Sequence, residues 1–551
     1  MIAYFAMEIG LEGYIATYGG GLGILAGDTL LSFADLGVPA VAVTLLYKGG
    51  YLHQRISSAG EQIEQDTKWD WSKYLKKLDL VFEVPFSDKT QRVACWEYVV
   101  RSKGEVRVFF LDADLEGNDP EIRRLNHRLY LGDGIHRLRQ EILLGIGGYR
   151  LLKALGYQPS VYHMNESHSA FLVVELLREL GSLDKVRRRC VFTTHTPVPV
   201  GHDKFPLSMV QEELKLYNHM DWEQEAQEGH INLSHLAIRY SGYVNAVSFK
   251  HMFVSRNIFP DCQEIDFVTN GVHHRRWIHE ELRELFDRYI PSWDTNPNLL
   301  QGVHLVPSHL LYERHQRIKQ QLVNLVNKMT DASFSDDVLT IGVARRITPY
   351  KRNDLILRDI ERLIRIAESC EGLQIVFAGK AHPRDEGGKA IIRNILEKAL
   401  YVKNRTKRLK IAFLENYGIE MAKLLVSGCD VWLNNPRRPL EACGTSGMKA
   451  GMNGVLNFST WDGWWLEGGI EGVNGWGIGP KPAWQDMSPS DDEKDAEDLY
   501  NKLLYTIIPT YYRREEWLRM MKNSIATVGS YFNTHRMVNE YLSKIYIQLL
   551  R

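Results

Sequence analysis

Short apolar runs alternate with helical stretches along most of this chain, and that alternation constrains its fold more than any other feature. The strand-like runs are Ala40–Leu46, Val106–Leu111, Val161–Met164, Cys190–Thr194, Val338–Ala344, Gln374–Ala378, Lys410–Leu414, Val431–Asn434 and Gly454–Phe458. Between several of them lie the helical segments Arg137–Ala154, Ala170–Leu180, Asp354–Ala367, Lys389–Tyr401 and Glu420–Ser427. Such alternation packs as parallel sheets covered by helices, an α/β fold. The runs are too many for one comfortable sheet and form two groups, one before about residue 270 and one after about residue 337. Between the groups, Trp277–Ser335 reads as a connector. It opens with a charged helix (His279–Tyr289), passes Pro291, Pro297 and Pro307, and ends in a long amphipathic helix, Ser308–Lys328. The tail Asp491–Arg551 reads as helices, the first capped by Ser490. Two doubly wound domains facing each other place a site in the cleft between them, at the C-terminal ends of the strands.

Composition removes several function classes. Lys plus Arg number 67 against 68 for Asp plus Glu, so no global field favours nucleic acid or anionic lipid. The basic runs Arg187–Arg189 and Lys403–Lys410 read as solvated helix or loop ends. No apolar run reaches the ~18 residues of a membrane span, and the start of the chain lacks the basic and apolar regions of a secretory signal. The six cysteines are scattered with no CxxC pair, which suits reduced thiols in a cytoplasm.

Four motifs carry chemistry. Tyr18–Asp28, with Gly20 and Gly21, is a glycine-rich loop running into an apolar helix that ends near Leu36-Gly37. Amides at a helix start attract anions; a tight structural turn is the alternative, and the dinucleotide fingerprint matches only weakly. The second motif, Thr193–Asp203, ends a strand at His195 before two prolines, so His195 sits on a stiff loop where ligands bind or serves the structure. A zinc reading of His163, His168, His195 and His202 finds no pair at helical i, i+4 spacing, and no metal is expected. The third motif, Ala344–Asp354, sets Arg345, Arg346, Lys351 and Arg352 after a strand, a dense cation set suited to phosphate. The fourth, Asn434–Gly454, includes Gly444, Thr445 and Ser446, a second anion cradle, with Lys449 about one turn in. An amine beside a phosphate pocket is what pyridoxal phosphate requires; a surface lysine is the alternative.

Taken together these segments resemble the glycogen and α-glucan (maltodextrin) phosphorylase family in its short microbial form. Glu441–Lys449 is similar to the family's pyridoxal phosphate lysine motif, with Lys449 on the cofactor lysine. The resemblance assigns Arg346 and Lys351 to substrate phosphate, Arg345 and Tyr417 to the cofactor phosphate, and Gly20 and Gly21 to a glycine loop touching substrate phosphate. His195, Asn270 and Glu441 match residues around the glucose, and Asp462 lies where the family has an aspartate-glycine motif. Thr348-Pro349, Gly418 and His273-His274 depart from the pattern.

The family resemblance implies the GT-B arrangement of two Rossmann-like domains: 1–275 binding glucan, 276–525 carrying pyridoxal 5'-phosphate, and a helix at 526–551 crossing back to the first. It implies a cytoplasmic enzyme that phosphorolyses terminal α-1,4-linked glucose reversibly, with retention, to α-glucose-1-phosphate. Its partners are then an α-glucan or maltooligosaccharide, inorganic phosphate and glucose-1-phosphate, with a homo-oligomer left open. The rivals are a glycogen synthase-like glucosyltransferase using a nucleotide sugar, and an inactive glucan-binding protein. Because the family-like strand Tyr4–Glu8 lies so near Met1, a further expectation is a rate set by substrate supply, without activation by AMP.

Overall fold

The computed structural model describes residues 1–130, 132 and 134–549. The chain forms two compact units. The first comprises Met1–Leu52, Asp66–Thr269 and Met537–Arg551, and the second comprises His53–Gln65 and Asn270–Arg536. No described helix is long and apolar enough to cross a membrane.

In the first unit the central strand Ile2–Ala6 is wholly buried between Ala40–Leu45 and Val161–Asn165, both parallel to it. Glu105–Asp112 extends one side; Cys190–Thr193, Tyr243–Ala246 and Asp266–Phe267 extend the other, all parallel. Strand order therefore reverses between Ile2–Ala6 and Val161–Asn165. Alternate side chains feed two cores. Ala3 and Phe5 pack with Leu143, Leu144, Leu151 and Leu152, whereas Ile2, Tyr4 and Ala6 pack with Leu25, Leu30 and Phe33. Met537, Val538, Tyr541, Ile545 and Tyr546 join that second core, so the end of the chain covers one face of the first sheet. A hairpin, Lys76–Phe86 with Lys89–Arg101, adds two antiparallel strands at the edge. Its half-exposed strands lack the unbroken apolar runs by which buried parallel strands are read.

The second unit holds a parallel sheet in the order Leu409–Leu414, Leu373–Ala378, Thr340–Ala344, Val431–Asn434, Leu456–Thr460, Gly475–Ile478. Numbered along the chain this is 3-2-1-4-5-6, the doubly wound order, and it reverses between Thr340–Ala344 and Val431–Asn434. All nine expected runs are strands. Asp354–Ala367, by contrast, is not one helix. Asp359 accepts the Arg362 amide at 2.9 Å and restarts the chain as Ile360–Glu368. Asp491 rather than Ser490 caps the tail's first helix, accepting from the Glu493 and Lys494 amides.

The hairpin His53–Ile56/Gln62–Gln65 belongs to the second unit despite its early place in the chain. Two buried glutamines bind it to strand ends there. Gln54 Nε2 donates to the Gly379 carbonyl at 2.9 Å and Gln62 Nε2 to that of Ala381 at 3.0 Å. The Asn416 amide donates back to Gln54 Oε1 at 2.8 Å.

One buried ion pair joins the connector helix Ser308–Met329 to this sheet. Lys319 Nζ lies 2.6 Å from Asp430 Oδ2, with both side chains almost completely buried. Lys319 also donates to the Val338 carbonyl, and Asp430 accepts from the Thr340 amide. Burial pushes the Asp430 carboxyl up, but Lys319 and His315 outweigh it and hold it below its usual value. Replacing Lys319 by Ala strands a buried carboxylate and is expected to cost about 3–5 kcal/mol, read from urea unfolding. Because the folded carboxyl is depressed, the pair's contribution is present above about pH 4 and is lost as pH falls through the folded value. An acid titration of stability in parent and Lys319→Ala should therefore converge at low pH.

Candidate active site

The strand-order reversal of a doubly wound sheet leaves a crevice at the strand C-termini. In the second unit Arg345 and Arg346 leave the strand Thr340–Ala344 on one side of it, and Asn434 and Asn435 leave Val431–Asn434 on the other. The four cations of the Ala344–Asp354 loop then divide into two kinds. Arg345 is buried, and its guanidinium binds the Leu433 carbonyl at 2.8 Å, Asn434 Oδ1 at 2.7 Å, Asn435 Oδ1 at 2.5 Å and the Lys351 carbonyl at 3.3 Å. Burial pulls this guanidinium down to about 10. Arg352, in a left-handed conformation (φ 48°), binds the Asn435 and Pro436 carbonyls and both Asp492 and Asp495. These two arginines clamp one loop to the other. Each terminal nitrogen of Arg345 is shared between two protein acceptors, whereas its buried Nε has no hydrogen-bond partner within the protein.

The other two cations face outward. Arg346 is exposed, with Nη2 3.4 Å from the Tyr350 hydroxyl. Lys351 is half-buried, and its Nζ lies 2.5 Å from Glu441 Oε2. Glu441 is in turn held by its backbone, whose amide donates to Asp462 Oδ2 at 2.9 Å, while Asp462 Oδ1 accepts from the Gly463 amide. Asp462 is thus placed behind Glu441 as its positioner. Gly463 (φ 53°) comes so close to the Cys443 carbonyl that a Cβ would lie 2.4 Å from it.

From Glu441 the chain passes Gly444 (φ 91°) into the helix Thr445–Gly451. Thr445 and Ser446 are half-buried at its start, and Trp432 Nε1 donates to Ser446 Oγ at 3.1 Å. Lys449, one turn in, is 7 % exposed, and its Nζ sits 3.9 Å from the centre of the Trp277 ring. Asn453 donates to the carbonyls of both Trp277 and Lys449 at 2.8 Å and so fixes that pairing. Tyr417 is half-buried in the loop after Leu409–Leu414, and Asn270 is buried, its carbonyl accepting from Arg536.

The first unit brings its own candidates to its own reversal. Glu8 follows the central strand and accepts the Gly19 amide at 2.6 Å, the Gly20 amide at 3.0 Å and the Tyr130 hydroxyl at 2.8 Å. The glycine loop therefore already holds an anion, the protein's own carboxylate. A Cβ at Gly20 or Gly21 would meet nothing within 4 Å, so no packing inside the unit demands glycine there. Open space beside bare backbone suits the close approach of a ligand. His195 is half-buried, its amide donating to Glu166 Oε2 at 2.7 Å and its Nε2 to Asn165 Oδ1 at 2.6 Å. Burial, reinforced by neighbouring histidines, pulls its imidazole down to about 3, so the ring is neutral at physiological pH. The other histidines of the zinc reading have different neighbours: His163 binds Tyr546 and Thr193, His202 binds Ser234, and His168 lies 3.7 Å from Asp203 in a cluster with Glu141.

Sequence reasoning missed Glu8, Asn165, Glu166 and Trp277 as parts of this machinery. A carboxylate directly after a buried strand was the available signal for Glu8. Trp277 carried no signal of its own.

Comparison with known proteins adds independent information. Residues 208–469 match the family model described as carbohydrate phosphorylase, and residues 8–253 match that of the starch synthase catalytic domain. The chain is 41 % identical to a maltodextrin phosphorylase of Thermococcus litoralis, an alignment covering 100 % of this chain and 71 % of that one. It is 38 % identical to a glycogen phosphorylase of Mycobacterium tuberculosis over 99 % of this chain and 70 % of the relative. It is 37 % identical to a glycogen phosphorylase of Aquifex aeolicus over 100 % and 86 %.

Replacing Glu8 by Ala leaves two half-buried amides and a hydroxyl without their acceptor. The expected cost is about 1–3 kcal/mol for each group that water does not reach, measured by urea unfolding. Unchanged stability would show that the carboxylate does not hold the loop.

Proposed function

The chain belongs to the carbohydrate phosphorylase family, and we propose that it is an α-1,4-glucan phosphorylase. It transfers terminal glucose of a glycogen- or maltodextrin-type glucan to inorganic phosphate, giving α-glucose-1-phosphate with retention, and the reaction is reversible. The observation that carries the reading is one continuous segment, Glu441–Lys449. It runs from the Lys351–Glu441 ion pair at the strand-order reversal to a buried amine one helical turn beyond a glycine-turned loop.

The residues present fit pyridoxal 5'-phosphate. Lys449 offers a primary amine in a buried, aromatic setting. Thr445 and Ser446 offer hydroxyls and amides at the helix start, and half-buried Tyr417 offers a further hydroxyl. We assign these residues to holding the cofactor, with Arg345 maintaining the loops around it. When bound, the cofactor supplies a phosphate group that exchanges a proton with the substrate phosphate.

The remaining work falls to the chain itself. In the second unit Arg346 and Lys351 hold inorganic phosphate; in the first, the amide of Gly21, with that of Gly20 shared from Glu8, is a neutral donor for a ligand anion. Arg346 gives paired hydrogen bonds and Lys351 a point charge. In the second unit Glu441, aimed by Asp462, and Asn270 bind glucose hydroxyls; in the first, neutral His195 is assigned to sugar binding. The transition state is oxocarbenium-like and needs nearby negative charge with water excluded. The held phosphate provides that charge. It gives its proton to the departing glycosidic oxygen, and its oxygen then bonds the anomeric carbon from the same face. Six cysteines without a disulfide suit a cytoplasmic setting.

The match of residues 8–253 to a starch synthase domain favours a second reading, a glucosyltransferase using a nucleotide sugar. That reaction has no use for a cofactor on Lys449, and an inactive glucan binder has no use for Arg346 and Lys351. Lys449→Met keeps the apolar stem against Trp277 and removes the amine. It should fold normally by circular dichroism yet retain no pyridoxal phosphate and no activity; an active variant without cofactor would overturn the assignment. Arg346→Ala should weaken use of phosphate and glucose-1-phosphate about 10- to 150-fold, the value of a hydrogen bond to a charged group, while keeping bound cofactor. Equal phosphate kinetics in variant and parent would rule that role out.

A further inference from the structure

We propose that His273, His274 and His535 form a binding site for a divalent transition-metal ion of the Zn2+ type. The three residues lie within the second unit, beside the points where the chain enters it at Asn270 and leaves it at Arg536. Those two segments are laced together. The Val272 amide donates to the Phe532 carbonyl at 3.1 Å, and the Thr534 amide donates to the Val272 carbonyl at 3.0 Å. Arg536 Nη2 donates to the Asn270 carbonyl at 2.9 Å. Gly271 permits the approach, because a Cβ there would lie 2.3 Å from the Asn533 carbonyl oxygen.

The lacing gathers three imidazoles. All are buried, at 5 %, 0 % and 4 % exposure, and one ligand nitrogen of each lies within 4.8 Å of the others. Ring centres are 5.3 Å apart for His273 and His274, 4.6 Å for His274 and His535, and 6.0 Å for His273 and His535. An ion bound at about 2.0–2.1 Å would draw the nitrogens to roughly 3.3 Å of one another, a shift of an ångström or so for side-chain ends. Three imidazoles suit zinc, nickel or copper rather than calcium or magnesium.

The surroundings prepare His274 for this task. Its Nε2 lies 2.6 Å from the Asp294 carbonyl, which can only accept, so the proton is on Nε2 and the Nδ1 lone pair is the metal ligand. A ligating histidine that gives its other N–H to a carbonyl is the usual supporting arrangement. His273 Nδ1 accepts the Arg276 amide at 3.2 Å, a long helix cap that an ion on that lone pair would displace. Arg536, next to His535 in sequence, has its guanidinium engaged by the Asn270 and Tyr531 carbonyls. A water completes four coordination positions. Such an ion would fasten the entering and leaving segments to each other.

The test uses the full-length holoenzyme stripped with a chelator. Titration with Zn2+ should show one ion taken up per chain by calorimetry and elemental analysis, with a melting temperature that rises with Zn2+ concentration. Co2+ should give the visible bands of tetrahedral coordination. His274→Gln and His535→Gln should each lose the ion and the thermal shift. Crystals of the unmodified protein grown with Zn2+ should show anomalous density between the three rings, which decides the matter even if a variant fails to fold. No uptake, uptake undiminished in both variants, or an ion located elsewhere would overturn the proposal.

Discussion

The interaction on which the candidate site rests is the Arg345 guanidinium at the reversal of the second sheet. In a doubly wound sheet the two strands at the reversal send their loops apart, and a crevice opens there for want of backbone to fill it. Here one buried arginine spans it, binding the Leu433 carbonyl and the side chains of Asn434 and Asn435. Arg352 repeats the device one step further out, against Pro436 and Asp495. With the two loops fixed in this way, Lys351 from one reaches Glu441 from the other. Arg346, the remaining cation, is exposed. Buried arginines held at several points are costly to assemble but rigid once made, and rigidity is what positions the groups of a site.

The first unit solves the matching problem with a carboxylate. Glu8 gathers the Gly19 and Gly20 amides and the Tyr130 hydroxyl. An anion that approached the glycine loop would meet one amide already shared and one, at Gly21, beside open space. The carboxylate thereby orders the loop from within the unit.

Much of the fold was legible because buried parallel strands read as continuous apolar runs. Val431–Asn434 and Leu373–Ala378 need no context to be recognised. Lys76–Phe86 does, since its half-exposed residues alternate and carry charges. The hairpin at His53–Gln65 was invisible for another reason: its attachment depends on two glutamines meeting main-chain groups more than three hundred positions away. At the site, charge was legible and direction was not. The run from Arg345 to Arg352 shows four cations, but nothing in it says that two point inward to hold loops. Nor does local spacing reveal that Lys351 pairs with Glu441, or that the anion in the glycine loop is Glu8.

The central claim is that this chain breaks an α-1,4 bond with phosphate rather than water or a nucleotide. The most direct measurement follows the holoenzyme acting on a maltooligosaccharide by phosphorus and proton magnetic resonance, with and without inorganic phosphate. The predicted result is α-glucose-1-phosphate from the first turnover, formed only when phosphate is present, with the glucan shortened by one unit. Free glucose, a β-phosphate product, or no reaction without a nucleotide sugar would contradict it.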